Sequence, residues 1–137
     1  MNFYIDSSVV LRVLRGQKDA WGQWGRWEKA YSSQLLRIEC RRFIDRMRIQ
    51  DQWSDNDVSD AGAALRNLER VLARVRLTSV VMERASLPMP TVIKTLDAIH
   101  IASASLVRER SEPRLAFVTH DDQQAKAARA LGFEVLP

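Results

Sequence analysis

Apolar residues occur along the chain both in short runs and in stripes of helical spacing, and the two patterns alternate. Short apolar runs bounded by turn residues are typical of strands, whereas apolar positions three and four residues apart are typical of helices. The predicted strands are residues 3–5, 30–33, 77–81, 115–119 and 133–136. Because helical segments separate them, the chain is predicted to have an α/β fold with a parallel sheet of four or five short strands.

The helical pattern covers most of the remaining chain. The predicted helices are residues 7–16, 18–30, 34–52, 55–75, 81–86, 95–107 and 122–131. Asp55 or Asp57 is placed to cap the fourth of these helices. Gly132 is placed to end the last one, because glycine is favoured just beyond a helix C-terminus.

The segment at residues 95–107 is predicted to form a helix that is apolar on every side. Within it only Asp97 and His100 can ionise. A helix of this kind is normally buried, and a carboxylate is rarely buried unless it is paired or binds a metal. The structural alternative is that Thr95 or Asp97 caps the helix. His100 is interpreted as a packed core histidine rather than a partner of a functional site.

Three further carboxylates occupy positions where neither a helix face nor charge balance requires an acid. Asp6 follows the first predicted strand, and Asp121 follows the strand at residues 115–119. Both are therefore expected at the carboxyl ends of parallel strands, where open sheets bind ligands. Glu39 borders the core-facing stripe of its helix. As structural alternatives, either aspartate would cap a helix, and Glu39 would pair with Arg42 three residues on.

Carboxylates that are brought together repel each other, and either protonation or a divalent cation relieves the repulsion. A set of oxygen ligands without His or Cys suits a hard ion such as Mg²⁺ or Mn²⁺. Paired ions of this kind assist phosphodiester hydrolysis by polarising a phosphoryl oxygen, generating hydroxide and stabilising the leaving oxygen. The candidate residues for such a site are Asp6, Glu39, Asp97 and Asp121.

The charge of the chain favours a nucleic-acid partner. The net charge is +4, and 17 of the 21 basic residues are arginines. Guanidinium groups bind phosphate in a bidentate manner and stack on bases. A GC-rich genome would also raise the arginine content, so that the charge supports this interpretation without deciding it.

Length and composition bound the domain count and the compartment. With 137 residues, of which 46% are hydrophobic, the chain is expected to form a single domain over residues 1–137. No apolar run approaches the roughly 20 residues needed to span a bilayer, and the start lacks the features of a signal peptide. The single cysteine, Cys40, excludes an internal disulfide and fits a reducing compartment. A cytoplasmic protein without membrane contact is therefore expected.

Four stretches together resemble the acidic blocks of PIN domains, in particular those of VapC-type toxins of bacterial toxin–antitoxin pairs. In chain order they are "FYIDSSVVLRVL", "RIECRR" around Glu39, "KTLDAIHIASA" and "VTHDDQQAKAARALGFEV". The resemblance extends over residues 2–136. The blocks around Asp97 and Asp121 are the most specific, because each combines an acid with an apolar context like that of the family.

The resemblance implies a three-layer α/β/α sandwich with a short parallel sheet and a metal-dependent endoribonuclease that leaves 5′-phosphate and 3′-hydroxyl ends. It assigns the four catalytic positions to Asp6, Glu39, Asp97 and Asp121. One or two Mg²⁺ or Mn²⁺ ions would be held by Asp6, Asp97 and Asp121, with Glu39 acting directly or through water.

Supporting residues follow from the same resemblance. Ser8 takes the place of the hydroxyl residue two positions after the first acid, and Thr119 that of the hydroxyl two positions before the last. Asp122 adjoins Asp121, and the spacing of Thr, one residue and Asp favours Asp121 as the residue that faces the metal. The candidate phosphate contacts are Arg12, Arg15, Arg42 and Arg46.

Other classes with an Asp after the first strand fit less well. Haloacid-dehalogenase-like enzymes need a second Asp two residues later, where this chain has Ser8. Response-regulator receivers need an early acidic pair and a Lys after a late strand, and neither is evident. A catalytically inert PIN-like binding module and a housekeeping RNA-processing nuclease of the same fold stay as alternatives.

Three tryptophans, Trp21, Trp24 and Trp27, recur every three residues. They either bury into the core or line an interface, since tryptophan is both highly buried on average and enriched at interface hot spots. The resemblance implies a homodimer and a small antitoxin protein that binds near the early helices. The predicted partner surface is therefore residues 9–27, and the substrate is RNA.

Overall fold

The computed structural model describes residues 1–17 and 21–137, and these form a parallel sheet of five strands with helices around it. The strands are β1 (Phe3–Ile5), β2 (Ala30–Ser33), β3 (Leu72–Val75), β4 (Ala116–Val118) and β5 (Val135–Leu136). Their order across the sheet is β3-β2-β1-β4-β5, and each neighbouring pair is parallel. The predicted α/β class and the parallel sheet are confirmed.

The helices alternate with the strands along the chain. They are α1 (Ser7–Leu14), α2 (Leu36–Gln50), α3 (Asp55–Val71), α4 (Ser79–Ala85), α5 (Thr95–Arg110) and α6 (Asp122–Ala130). None of the helices in the described ranges is long and apolar enough to cross a bilayer.

The two faces of the sheet are covered by different helices. Successive residues of a strand point to opposite faces. Phe3 and Ile5 therefore join a core cluster with residues of α1, α2 and α3, whereas Tyr4 joins a second cluster with residues of α5 and α6. The predicted three-layer α/β/α sandwich is confirmed.

The central strand β1 determines where the candidate acids meet. It has β2 on one side and β4 on the other, so that the connections run in opposite directions from it. The register pairs Ile5 with Val118, and the N–H of Asp6 donates to the carbonyl of Val118 at 3.0 Å. Asp6 and Thr119 therefore lie side by side at the switch point of the sheet, where open α/β sheets bind ligands.

The helix predicted for residues 18–30 is wrong over its described part. Residues 18–20 lie outside the described part of the chain, and residues 21–29 form turns and irregular backbone. Gly25 has a φ of +79°. Glycine adopts this conformation without a steric penalty, and a right-handed helix cannot continue through it.

Two boundaries before α5 also differ from the prediction. Residues 72–75, predicted as the end of a long helix, form β3 because they pair in register with β2. Residues 77–81, predicted as a strand, include the start of α4, because the Thr78 hydroxyl accepts the N–H of Val81 and caps that helix. The apolar pattern alone does not separate short strands from helix ends.

The N-terminus of α3 is capped one residue earlier than predicted. Ser54 is the capping residue, and its hydroxyl accepts the N–H of Asp57 at 3.1 Å. Asp57 accepts the N–H of Ser54 in return at 3.0 Å, which completes a capping box. Asp57 therefore takes part in the cap without being the cap residue itself.

Candidate active site at the carboxyl ends of the central strands

Asp6 lies directly after β1 and is 2% exposed. Its Oδ2 accepts the N–H of Ser8 at 3.2 Å and the hydroxyl of Thr119 at 3.1 Å. Its Oδ1 is buried and has no hydrogen-bond partner among the described residues. Asp6 thus caps α1, as the structural alternative predicted, and it also keeps one oxygen available inside the site.

Thr119, one residue after β4, is the centre of a hydroxyl network. Its Oγ1 lies 3.0 Å from Gln124 Oε1 and 3.3 Å from the hydroxyl of Ser8, and it accepts the N–H of Asp121 at 3.1 Å. Both hydroxyl residues that the resemblance assigned to the site are therefore in contact with each other and with Asp6. The network fixes the loop that carries Asp121.

Asp121 caps α6, since its Oδ1 accepts the N–H of Gln124 at 2.7 Å. It is half-buried, whereas Asp122 is exposed. The charge of Asp121 is one of those that raise the pKa of Asp97. This placement supports the choice of Asp121 over Asp122 as the fourth acid of the site.

Asp97 lies in the first turn of α5 and is half-buried. Burial raises the pKa of Asp97 from 3.8 to about 6, and the charges of Asp6, Asp121 and Glu39 act in the same direction. The four carboxylates are therefore close enough to act on one another. The alternative that Asp97 or Thr95 caps the helix is wrong, because the cap residue is Lys94 and no described side chain accepts a capping hydrogen bond there.

Glu39 lies in the first turn of α2 and turns its carboxylate towards the core. Its Oε2 accepts the hydroxyl of Ser7, and its Oε1 contacts Nε2 of His100, each at 2.8 Å. The predicted pair with Arg42 is wrong, because Arg42 pairs with Asp45 at 2.8 Å instead. Both oxygens of Glu39 are thus held by side chains of the sandwich.

His100 is fully buried, as predicted for a core histidine, but it also contacts the acidic site. Its Nδ1 lies 2.9 Å from the hydroxyl of Tyr4, and its Nε2 contacts Glu39. Burial lowers the pKa of His100, but the hydrogen bond to Glu39 and the charges of Asp6, Glu39 and Asp97 outweigh it, so that the pKa is raised. The interpretation of His100 as a residue of the core alone is therefore wrong.

Sequence reasoning missed three side chains of this network. Ser7 directly follows Asp6, and this position beside a candidate acid was a usable signal. Tyr4 and Gln124 are fully buried polar residues, and no local pattern distinguishes them from ordinary strand and helix residues. The Nε2 of Gln124 donates to the carbonyl of Asp97 at 3.4 Å, and it thereby connects α6 to α5.

Comparison with known proteins assigns this arrangement to a family. Residues 3–130 match the family model of the PIN domain. The chain belongs to the PIN domain family. The matched residues include all four candidate acids, which are Asp6, Glu39, Asp97 and Asp121.

This PIN domain is similar to Ribonuclease VapC47 of Mycobacterium tuberculosis, with 28% identity over 95% of this chain and 92% of the relative. Its fold is similar to that of a chain in the crystal structure of VapBC2 from Rickettsia felis bound to a promoter DNA fragment. The TM-score is 0.65 at 9% identity, and the match covers 99% of this chain and 98% of that one. It is also similar to PAE2754 from Pyrobaculum aerophilum, with a TM-score of 0.60, 19% identity and coverage of 98% and 83%. The likeness to these solved structures establishes the fold.

The donor set of the PIN domain site fits a hard divalent cation. The acids offer only oxygen ligands, Asp6 Oδ1 is buried and accepts no hydrogen bond from the described residues, and the pKa of Asp97 is raised by burial and by neighbouring negative charge. In residues 1–17 and 21–137 no three His, Cys, Asp or Glu side chains are arranged as a metal site requires. The fit to a divalent cation is therefore one of ligand chemistry.

The four arginines predicted as phosphate contacts lie on α1 and α2 or at their ends. Arg12 is exposed. Arg15 and Arg46 lie over the ring of Phe43, with their guanidinium carbons 5.1 Å and 5.7 Å from its centroid. Arg15 follows α1 at the end opposite Asp6, about 12 Å along the helix axis. With Arg42 paired to Asp45, contact of these residues with a phosphate near the acids stays a prediction.

Proposed function

We propose that this PIN domain is a metal-dependent endoribonuclease that hydrolyses RNA phosphodiester bonds and is the toxin of a type II toxin–antitoxin pair. The observation that carries the proposal is the buried Oδ1 of Asp6, which accepts no hydrogen bond from the described residues, near Asp97, whose pKa is raised by burial and by the other acids. Carboxylates that repel one another are oxygen ligands of the kind that Mg²⁺ and Mn²⁺ bind, since the cation relieves the repulsion. The likeness to Ribonuclease VapC47 supports RNA as the substrate.

One or two ions would be held by Asp6, Asp97 and Asp121, with Glu39 acting directly or through water. When bound, such an ion polarises a phosphoryl oxygen and neutralises the negative charge that builds up in phosphodiester hydrolysis. The protein's own contribution is orientation. Ser8 and Thr119 hold one oxygen of Asp6, and the N-terminus of α6 holds Asp121.

Attraction of the RNA backbone is assigned to the exposed basic residues. The net charge of +4 coexists with an acidic site, so that phosphates must be guided by arginines outside the carboxylate cluster. The proposed contacts are Arg12, Arg15, Arg42 and Arg46. Each of them sits on α1 or α2, or directly after α1, the two helices whose N-terminal ends present Asp6 and Glu39.

As a toxin of this kind, the protein is proposed to bind an antitoxin protein and to form a homodimer. The R. felis structure with a similar fold contains a VapBC2 complex, which supports a partner of the same kind here. A groove of about 420 Å³ on this chain is lined by mostly apolar residues together with Asn67, and the indole rings of Trp24 and Trp27 form part of its wall. We propose that this groove receives the partner. A cytoplasmic location is proposed as well, because the single cysteine fits a reducing compartment.

The proposal is tested by incubating the purified protein with a single-stranded RNA in Mg²⁺ or Mn²⁺, with a parallel reaction in EDTA. We expect cleavage only with the metal, and products that carry 5′-phosphate ends. Contaminating metal-independent ribonucleases attack through the 2′-hydroxyl and leave cyclic phosphate ends instead. Undiminished cutting in EDTA would overturn the metal mechanism, and RNA binding without cleavage would favour the inert binding module.

A further inference from the structure

A chain of buried hydrogen bonds connects the core of the sandwich to the acidic site. The hydroxyl of Tyr4 lies 2.9 Å from Nδ1 of His100, and Nε2 of His100 lies 2.8 Å from Oε1 of Glu39. Ser7 donates to the other oxygen of Glu39 at 2.8 Å. Tyr4 and His100 are both fully buried, and neither has a part in the hydrolysis proposed above.

We propose that Tyr4 and His100 are positioning residues that fix the carboxylate of Glu39 and thereby leave Oδ1 of Asp6 free to bind the cation. This inference rests on the proposed function, because it concerns the same four acids.

The geometry around Nε2 of His100 carries the inference. An ionised carboxylate only accepts hydrogen bonds, so that Nε2 is the donor, and it has one hydrogen to give. Two carboxylates compete for it. Oε1 of Glu39 lies at 2.8 Å, whereas Oδ1 of Asp6 lies at 3.7 Å, which is beyond hydrogen-bond distance. The hydrogen therefore goes to Glu39, and the Asp6 oxygen keeps its lone pairs for another ligand.

Tyr4 determines how the imidazole ring is held. Its hydroxyl occupies the second ring nitrogen of His100, and a ring with both nitrogens engaged has one fixed orientation. The aromatic ring of Tyr4 has a separate packing role, since it stacks on Phe117 with centroids 5.4 Å apart. Removal of the hydroxyl alone therefore releases His100 while the packing is retained.

The chain supplies a matched control for this change. Tyr31 lies directly opposite Tyr4 in the register of β1 and β2, and both belong to the same core cluster. The hydroxyl of Tyr31 donates to Glu112 at 2.8 Å, and Asn2, which precedes β1, donates to the same carboxylate. Tyr31→Phe therefore removes a tyrosine hydrogen bond of similar length at the end of the sheet away from the acids.

The experiment compares Mn²⁺ affinity by titration calorimetry in the full chain. We expect Tyr4→Phe to weaken Mn²⁺ binding about tenfold, as is usual for residues that orient metal ligands, and Tyr31→Phe to stay within about twofold of the wild type. His100→Gln keeps an N–H that can reach Glu39 and should retain more affinity than His100→Leu. Equal affinities for the wild type and Tyr4→Phe, or for the two His100 variants, would overturn the inference.

The ring ¹⁵N resonances of His100 give a readout that does not depend on metal. We expect Tyr4→Phe to shift the Nδ1 resonance and to expose the Nε2 proton to exchange, and Tyr31→Phe to change neither. If the wild type binds no Mn²⁺, the proposed function fails, and these resonances alone decide whether Tyr4 orients His100. If Tyr4→Phe does not fold, the Mn²⁺ affinities of His100→Gln and His100→Leu decide whether His100 positions Glu39. Unchanged His100 resonances in a folded Tyr4→Phe variant would contradict the inference.

Discussion

At the scale of single residues, the acids of the site have a structural role in addition to the chemical role proposed for them. Asp6 and Asp121 each use one oxygen to cap the helix that follows a strand. Glu39 is held through both of its oxygens by Ser7 and His100. A helix cap orients a carboxylate without consuming its remaining lone pairs. The capping interpretation of an acid and its interpretation as a ligand are therefore compatible in this fold.

The acids could be predicted from the sequence, but the residues that hold them could not. Each acid stands at a strand end, within an apolar helix or at the border of a core-facing helical stripe, and each of these is a local signal. The contact between Tyr4 and His100 joins residues 96 positions apart, and that between Asp6 and Thr119 joins residues 113 positions apart. Such contacts depend on the order of strands in the sheet, and no local pattern contains that order.

In the metal-free protein, Asp97→Asn is expected to raise the free energy of unfolding above that of the wild type at neutral pH. Burial and neighbouring charges raise the pKa of Asp97 from 3.8 to about 6, so that ionisation of this carboxyl opposes folding. The wild type loses stability relative to the variant as the pH rises from about 4 to about 6. The difference is therefore complete above about pH 6 and absent below about pH 4.

Because Asp97 is half-exposed, solvent screening reduces this difference to roughly 1 kcal/mol. The measurement is urea unfolding in EDTA at about pH 4 and about pH 8. Asp45→Asn serves as the control, because Asp45 pairs with Arg42 on the surface of α2. A variant that is less stable than the wild type at the higher pH would show that Asp97 is a structural residue.

Asp121→Asn is expected to abolish RNA cleavage, whereas Asp122→Asn should cost little activity. Asp121 is half-buried and acts on Asp97, while Asp122 is exposed on the first turn of α6. Loss of a ligand charge weakens binding of the ion and stabilisation of the transition state together. The check is the cleavage rate of both variants at one Mn²⁺ concentration, and the reverse order would place the fourth acid at Asp122.

At the scale of elements, the long helices and the strands at residues 3–5 and 30–33 are predicted correctly, and the errors in the described chain lie at residues 21–29 and 72–81. The helix predicted at residues 34–52 corresponds to α2 (Leu36–Gln50), and that at residues 122–131 to α6 (Asp122–Ala130). The helix predicted at residues 55–75 is wrong at residues 72–75, because the short sequence "LARV" fits the end of a helix and a strand equally well. Pairing with β2, more than 40 positions earlier in the chain, makes them a strand.

The tryptophan segment shows the same dependence on tertiary contacts. Trp21 is buried edge-on against Phe3 with centroids 4.9 Å apart, and Trp27 stacks on Trp21 at 6.2 Å. Trp24 meets Trp27 edge-on at 5.4 Å. The two predicted alternatives, core and interface, thus apply to different members: Trp21 is core, and Trp24 and Trp27 are half-buried walls of a groove.

Trp24→Ala is expected to weaken homodimerisation or binding of the partner protein by at least tenfold, with a modest fall in melting temperature. The indole of Trp24 is partly exposed in the groove, and tryptophan is enriched at interface hot spots, so that its loss is expected to affect association more than folding. Trp53→Ala is the control, since Trp53 is also half-buried and packs edge-on against Phe43. The assays are sedimentation equilibrium and co-purification with the product of the neighbouring gene. A sharp fall in melting temperature with unchanged association would place the interface elsewhere.

At the scale of the whole molecule, the strand order assembles the site. Because β1 lies between β2 and β4, the loops after β1 and β4 meet, and the first turns of α2 and α5 bring Glu39 and Asp97 to the same edge. The acids come from four segments that are far apart in the sequence. The fold class can be predicted from the alternation of strands and helices. Predicting that the acids lie together requires the order of the strands in the sheet as well.

Asp6, Glu39, Asp97 and Asp121 are proposed to form one metal-dependent ribonuclease site. The most direct measurement is the rate of RNA cleavage at saturating Mn²⁺ by the wild type and by Asp6→Asn, with melting temperatures recorded for both. We predict a fall of at least about 100-fold, because Asp6 supplies the buried oxygen that accepts no hydrogen bond from the described residues. Asp6→Asn keeps an oxygen that can cap α1, so that the variant should remain folded. Equal rates for the two folded proteins would contradict the claim.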